Sequence, residues 1–405
     1  MKRFIGLSLL ILITLLFTLA TPYVPVARLL YVLVLLTAGG FLWAVVSLRW
    51  LDVRVERRTA RVHVGQDLDE RITIRNKSPI PKPWLEVVEV TDIPGHYTGN
   101  TIGLPGHGYR SWRATTRSAK RGMYKLGPLR ITAGDPFGIF QLERSFTESE
   151  QVLVLPHVVP LQGFHLPSSN LPGTGQFRKP SQELSVHVSS VRDYTPGDSL
   201  SRIHWSSTAR QNRLMVKEFD LGLTNDVTVL LDLDASVQTT GDGDSTEELA
   251  VTVAASIFRF FVRRGLSAGF AINAQGFPFM APGKGQIHDG KVMDLLTYVS
   301  ADTAMPLQHA VTELEKKLDR NTTLVIVTPS ADSTWIELAG SMARRGIGIV
   351  AVLVDGLRFG ASTSIHSLIP VLRAISITTY VVAEGDDIAT ALRHPIETYT
   401  REHIQ

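Results

Sequence analysis

The chain has 405 residues, long enough for two or three domains, and its 44% hydrophobic against 20% charged residues supplies enough apolar material for real cores, which excludes global disorder. Its 41 basic and 38 acidic residues nearly balance, which argues against a nucleic-acid binder with a concentrated basic face. With no cysteine there are no disulfides, thiolate zinc sites, iron–sulfur clusters or cysteine nucleophiles.

Phe4 to Ala20 reads FIGLSLLILITLLFTLA without a charged residue. At 1.5 Å per residue it spans roughly 25 Å, enough for a bilayer core. Pro22 and Pro25 break the pattern, and a second apolar run, Leu29 to Leu48, ends among Trp43 and Trp50. A cleaved signal peptide fits the first run less well, because a second span follows at once. Lys2 and Arg3 precede the first span, and Arg49, Arg54, Arg57, Arg58 and Arg61 follow the second, while the connection holds only Arg28. By the positive-inside rule both ends lie in the cytoplasm. The expectation is a two-helix transmembrane anchor over residues 1–50 that meets the lipid bilayer through residues 4–48 and holds the soluble region on the cytoplasmic face.

From Asp52 the apolar period becomes two: Val53 and Val55, Val62 and Val64, Ile72 and Ile74 alternate with charged residues, as half-buried strands do. Trp84 to Val90 predicts another strand, and Tyr109 to Arg117 with Met123 to Thr132 a hairpin around Ala119 to Gly122. A turn at Asp135-Pro136-Phe137 precedes the segment Gly138 to Phe146. This spacing predicts a sandwich-like β domain over residues 51–150. Nothing in it looks catalytic.

Residues 151–225 form a linker, rich in Gly and Pro at 172–180, followed by the most unusual stretch of the chain, VRDYTPGDSLSRIHWSSTARQNRLMVKEF at 191–219. Pro196-Gly197 forces a turn, Asp198 suits a helix N-cap, and Ile203 and Trp205 are expected to anchor the segment by burial. Two readings of its polar residues stand side by side. Asp198, Arg202, His204 and Arg210 form either a polar binding site or hydrolytic centre, or a hydrogen-bonded clamp joining the β region to the C-terminal domain, for which arginine's planar fork is suited. One histidine and one aspartate lack the third member that triad logic requires.

The motif Arg192-x-Tyr194-x-x-Gly197-Asp198-x-x-x-Arg202-Ile203-His204-Trp205, followed by Thr208-Ala209-Arg210 and Leu214-Met215-Val216-Lys217, closely resembles the signature of the bacterial domain of unknown function 58 family. The earlier Arg117-Ser118-x-x-Arg121-Gly122-x-Tyr124-x-Leu126-Gly127-Pro128 and Asp135-Pro136-Phe137-Gly138-x-Phe140 resemble that family's β region. The resemblance implies a bacterial inner-membrane protein, multi-pass, that works beside MoxR-type AAA+ ATPases and transglutaminase-like membrane proteins. The family's name assigns no activity.

Residues 226–405 alternate strands and helices. Val227 to Leu233 is a continuous apolar run, as in a buried parallel strand, and Glu247 to Arg264 is amphipathic. Further strands fall at Ala268 to Ile272, Thr323 to Thr328, Gly348 to Val354 and Thr378 to Val382, with helices between. The pattern predicts a doubly wound α/β domain. Ligands bind such sheets at the carboxyl ends of the strands, where Asp232-Leu233-Asp234-Ala235-Ser236 lies. This loop resembles the Asp-x-Ser-x-Ser metal motif of von Willebrand factor type A domains, with Asp234 where that pattern has serine. Thr303, and Asp332 in Thr328-Pro329-Ser330-Ala331-Asp332, would complete a set of hard oxygen donors for Mg²⁺.

The whole predicts a membrane-anchored binding and assembly protein rather than an enzyme. Its α/β head, with or without Mg²⁺, would meet a protein partner such as a MoxR-type ATPase and not nucleic acid. The alternative is a hydrolase using Asp198, Arg202, His204 and Arg210.

Overall fold

The computed structural model describes residues 2–21, 23–57, 60–166, 188–193, 203–211, 213–219, 226–241, 244–320 and 322–396. By its contacts the chain divides into two compact units, Met1–Val158 with Met293–Val299, and Val159–Val292 with Ser300–Gln405.

The first unit begins with α1 (Lys2–Ala20) and α2 (Val24–Leu48), which touch each other. Among the described residues α2 alone is long and apolar enough to cross a membrane. The apolar part of α1, Ile5–Ala20, is shorter. The second run starts earlier than its sequence pattern suggests, at Val24, because Pro25 falls in the first helical turn, where a missing N–H costs nothing. The apolar side chains of α2 are mostly exposed, Leu35 at 71% and Leu42 at 63%. Its final turns differ: Gly40, Ala44, Ser47 and Leu48 are buried, and Phe41 meets Phe140 edge to face at 5.5 Å.

Two sheets follow. The first is antiparallel, ordered β1 (Leu51–Arg57), β3 (Asp67–Asn76), β6 (Tyr109–Arg117). The second is ordered β2 (Arg61–His63), β9 (Glu150–Leu155), β7 (Gly122–Gly134), β4 (Lys82–Thr91), β5 (Asn100–Leu104), with β8 (Gln141–Ser145) also on β7. Ile72 and Ile74 of β3 share one core with Leu85 and Val87 of β4 and Leu129 and Ile131 of β7, so the period-two faces meet between the sheets. The expected hairpin of β6 with β7 does not form. β6 pairs with β3 and β7 with β4 and β9, so the chain between them changes sheets, and Gly122 at φ 150° begins the new strand. The turn at Asp135 is an Asx turn: its carboxylate accepts from the backbone N–H groups of Phe137, Ile139 and Phe140.

In the second unit, β10 (Val188–Asp193) and β11 (Met215–Phe219) form an antiparallel pair, with α3 (Trp205–Gln211) between them in sequence. The main sheet has six strands, ordered β14 (Phe279–Gly283), β13 (Ala268–Asn273), β12 (Asp226–Asp232), β15 (Thr322–Thr328), β16 (Gly348–Asp355), β17 (Thr378–Ala383). All neighbours are parallel except β13 and β14. The helices are α4 (Thr246–Arg263), α5 (Gln286–Tyr298), whose residues from Met293 on fall in the first unit, α6 (Leu307–Glu315), α7 (Thr334–Arg344), α8 (Ile369–Ala374) and α9 (Ile388–Ala391). Ser245 caps α4 by accepting from the N–H of Glu248, and Ala250, Val253, Ile257 and Phe261 are buried, as the amphipathic period requires. Strand β14 and helix α5 escape the sequence pattern: β14 reads FMAPG, with a proline that confines it to an edge. The order runs outward from β12 to β14, then returns to the other side of β12 at β15. That reversal is the topological switch point of the sheet.

Candidate functional site

The switch point places Asp232 at the carboxyl end of β12, and its carboxylate is wholly buried. Oδ2 accepts from the hydroxyl of Thr328, on the neighbouring strand β15, at 2.6 Å. Oδ1 accepts from Nδ2 of Asn273, on β13, at 2.7 Å and from the N–H of Asp234 at 3.2 Å. Burial pushes Asp232 up to about 6, opposed by Thr328 and Asn273. Asp234, also buried, accepts at Oδ1 from both the N–H and the hydroxyl of Ser236. Thr303 lies beside this loop, bridging Asp234 and accepting at its carbonyl from the N–H of Ala235.

The sheet thus gathers Asp232, Asp234, Ser236 and Thr303. Asp332 is placed differently: it is exposed, and its carboxylate accepts from the N–H and hydroxyl of Thr334 at the start of α7. Its helix-initiating role follows from the Asp-Ser-Thr run, in which a short acidic side chain competes for the first free N–H groups. Asn273 is missing from the sequence reading, yet it holds Asp232 and the carbonyl of Met305, while its own Oδ1 is buried without a hydrogen-bond partner among the described residues. The donors here are oxygens only, which suits a hard cation. Asp232 already accepts from internal donors at both oxygens, and Asp234, Ser236 and Thr303 are the oxygen donors beside it that would hold one.

In the signature segment, Tyr194, Gly197, Asp198 and Arg202 lie outside the described residues. The backbone of Arg192 sits in β10, opposite Val216. His204 precedes α3 and caps it: the N–H of Ser207 donates to Nδ1 at 3.2 Å, and the hydroxyl of Ser207 lies 2.7 Å from the same nitrogen. The backbone of His204 donates to Met215 on β11, and Thr208 Oγ1 accepts from the N–H of Met215. Ile203 is buried as expected. Trp205 is not: it is 67% exposed at the first residue of α3, and Arg210 is exposed at its end.

The β unit holds a cluster that the sequence reading passes over. Arg57 of β1, Glu70 of β3, Glu89 of β4 and His96 meet with side chains at most 7% exposed. Arg57 pairs with Glu70 at 3.1 Å, with Glu89, and with the exposed Glu150 at 2.7 Å. His96 Nε2 is 3.4 Å from Glu89, and its Nδ1 is 2.7 Å from Thr116 Oγ1. Burial, together with the adjacent Glu89, pushes Glu70 up to about 7. Glu89 is held low: burial opposes its ionisation, but His96, Glu70 and Arg57 outweigh it. The signal was available in the alternation. In DLDERITIRN, Glu70 shares the inward parity of Leu68, Ile72 and Ile74, and in WLEVVEV, Glu89 shares that of Leu85 and Val87.

The family described as "Protein of unknown function DUF58" matches residues 190–357. A curated relative, "Uncharacterized protein YeaD" of Bacillus subtilis (strain 168), is 25% identical over 307 residues, 74% of this chain and 75% of that protein. These matches support the DUF58 family. The matched span runs from β10 through the Asp232 loop to the end of β16, so it includes both the signature segment and the switch point. Among solved structures, the CARDB domain of the PF1109 protein from Pyrococcus furiosus is similar over 26% of this chain and 87% of that one, at 16% identity and a TM-score of 0.20. The C-terminal domain of wzt is similar over 25% and 70%, at 15% identity and a TM-score of 0.20. At these scores neither likeness carries an argument.

Proposed function

We propose that this chain is a membrane-anchored interaction and assembly protein whose α/β unit docks a protein partner through the Asp232–Ser236 loop. The observation that carries the reading is the loop itself. At the switch point, a buried aspartate braced by Thr328 and Asn273 orders a second aspartate, a serine and a threonine. The parallel sheet, its antiparallel edge and this loop at the order reversal support a von Willebrand factor type A-like unit. Asp234, Ser236 and Thr303 would hold Mg²⁺ and leave a position for a partner's carboxylate. The partner class is an oligomeric ATPase of the MoxR type, with a transglutaminase-like membrane protein as a further associate.

The apolar, exposed length of α2 supports the anchor. With α1 beside it, the arrangement is a two-span hairpin in a bacterial inner membrane, with the arginines after Leu48 on the cytoplasmic side. The capping role of His204 weighs against a hydrolase, because the nitrogen facing Ser207 is held by that residue's own N–H.

The test is co-purification from native membranes with and without Mg²⁺, comparing wild type with Asp234→Ala. An ATPase recovered only with Mg²⁺, and only by wild type, is expected. Recovery of no ATPase under any condition, or equal recovery by Asp234→Ala, rejects the reading.

A further inference from the structure

We propose that Glu70, Glu89 and His96 form a binding site for a single divalent transition-metal ion, of the Zn²⁺ kind, that ties the two sheets of the β unit together. This site is independent of the Asp232 loop. Carboxylate and imidazole together form the donor set of a borderline divalent ion.

Four observations carry the proposal. First, the ligand atoms of the three residues lie within 4.8 Å of one another, and Glu89 and His96 are already 3.4 Å apart. That is the separation two ligands take on one tetrahedral ion at bonds of about 2.1 Å. Second, Oε2 of Glu70 is buried and has no hydrogen-bond partner among the described residues, although Oε1 is held by Arg57. Third, His96 is oriented as metal-ligating histidines are. Its Nδ1 lies 2.7 Å from Thr116 Oγ1, and in the tautomer in which Nδ1 donates there, Nε2 turns its lone pair towards the carboxylates. Fourth, with His96 neutral, as ligation requires, Arg57 is the one guanidinium facing the two buried carboxyls Glu70 and Glu89 among the described residues, and a divalent ion would add positive charge there.

The elements give the site a purpose. Glu70 belongs to the first sheet and Glu89 to the second, and His96 lies in the connection from β4 to β5. An ion there bridges both layers. A cleft of about 190 Å³, lined by Glu56, Arg57, Asp69, Glu70, Arg71 and Arg113, opens onto the cluster and gives an ion a way in. The competing account is a proton shared by Glu70 and Glu89, which would satisfy the same oxygen without metal.

The experiment uses the full chain in detergent, without a polyhistidine tag, stripped with chelator and titrated with Zn²⁺ alone by calorimetry and thermal unfolding. The expected result is a rise in Tm and a bound equivalent of Zn²⁺ that Glu70→Gln and His96→Gln each lose or hold at least about tenfold more weakly. Failure of the docking reading would leave these values unmoved, so the two proposals fall separately. No Zn²⁺ uptake by wild type, or uptake that both cluster variants retain, overturns the site and leaves the shared proton. If circular dichroism shows the variants misfolded, Co²⁺ in the wild-type chain decides. An intense visible band from a low-coordinate site supports the proposal, and the weak spectrum of the hydrated ion overturns it.

Discussion

Lys82 donates from Nζ to the carbonyl oxygen of Val46, so a wholly buried ammonium on β4 closes the last turn of α2. The carbonyls at a helix C-terminus carry partial negative charge, and the cation is well placed against them. The ring of Trp50 lies 5.8 Å from the same nitrogen. With the edge contact of Phe41 and Phe140, this joins the end of the apolar helix rigidly to the β unit.

The Lys82 contact predicts a contrast between two substitutions. Val46 also accepts from the N–H of Arg49, so its carbonyl is not orphaned when Lys82 is lost. Lys82→Met, which keeps the volume and removes a buried charge, should therefore change stability by less than about 1 kcal/mol. Lys82→Ala leaves a void and should cost about 2–5 kcal/mol. Burial holds the Lys82 pKa below its ordinary value. In the alkaline window between the folded and unfolded pKa values the unfolded chain binds more protons, so stability rises with pH there and is lost as pH falls through the folded pKa. Chemical denaturation across that window should show the slope in wild type and not in Lys82→Met.

Arg57 should be far more sensitive than its most exposed partner. Its removal leaves Glu70 and Glu89 buried without their counter-ion, and Arg57→Ala should cost about 3–5 kcal/mol or prevent folding. Glu150 is 63% exposed, and Glu150→Ala should cost less than about 1 kcal/mol. Equal losses in denaturant midpoints would show that the cluster is not organised by burial.

The same cluster shows where sequence reading runs out. Period two places Glu70 and Glu89 on the inner faces of their strands, but it does not say which strands face each other. The sheets are built from β1-β3-β6 and β2-β9-β7-β4-β5, and no local pattern gives that pairing. His96 sits in a connection with no periodicity at all. In the α/β unit the reverse holds. Val227 to Leu233 and the other apolar runs are long enough to read as buried strands, and Asp232 follows directly from its place at a strand end. Asn273 does not, because its role depends on β13 lying beside β12. Trp205 misleads because a tryptophan after a buried isoleucine suggests a core, whereas here it begins a short helix and points to solvent.

Tyr380 fastens the segment after Val158 to β17. Its hydroxyl donates to the carbonyl of His165 and accepts from the N–H of the same residue, and its ring stacks on Phe164 at 4.9 Å. Tyr380→Phe keeps the stacking and leaves both backbone groups of His165 without this partner, so it should cost about 1–3 kcal/mol. Hydrogen exchange at the His165 amide should accelerate in the variant. Unchanged protection there would show that the contact does not hold the segment.

His204 offers the sharpest separation between a structural and a chemical role for the signature. As a cap, its Nδ1 accepts from the N–H of Ser207 and satisfies one of the free donors that begin α3. Asparagine and aspartate do the same with a side-chain oxygen, and alanine cannot. His204→Ala should therefore lose about 1 kcal/mol and His204→Asn only a few tenths. The exchange of the Ser207 amide should follow the same order. A catalytic imidazole obeys a different rule, since no amide replaces a titrating base. If partner recovery from membranes survives in His204→Asn and weakens in His204→Ala, the histidine acts through the helix it starts. Equal and complete loss in both, with Ser207 still protected in the asparagine variant, would assign it to chemistry instead.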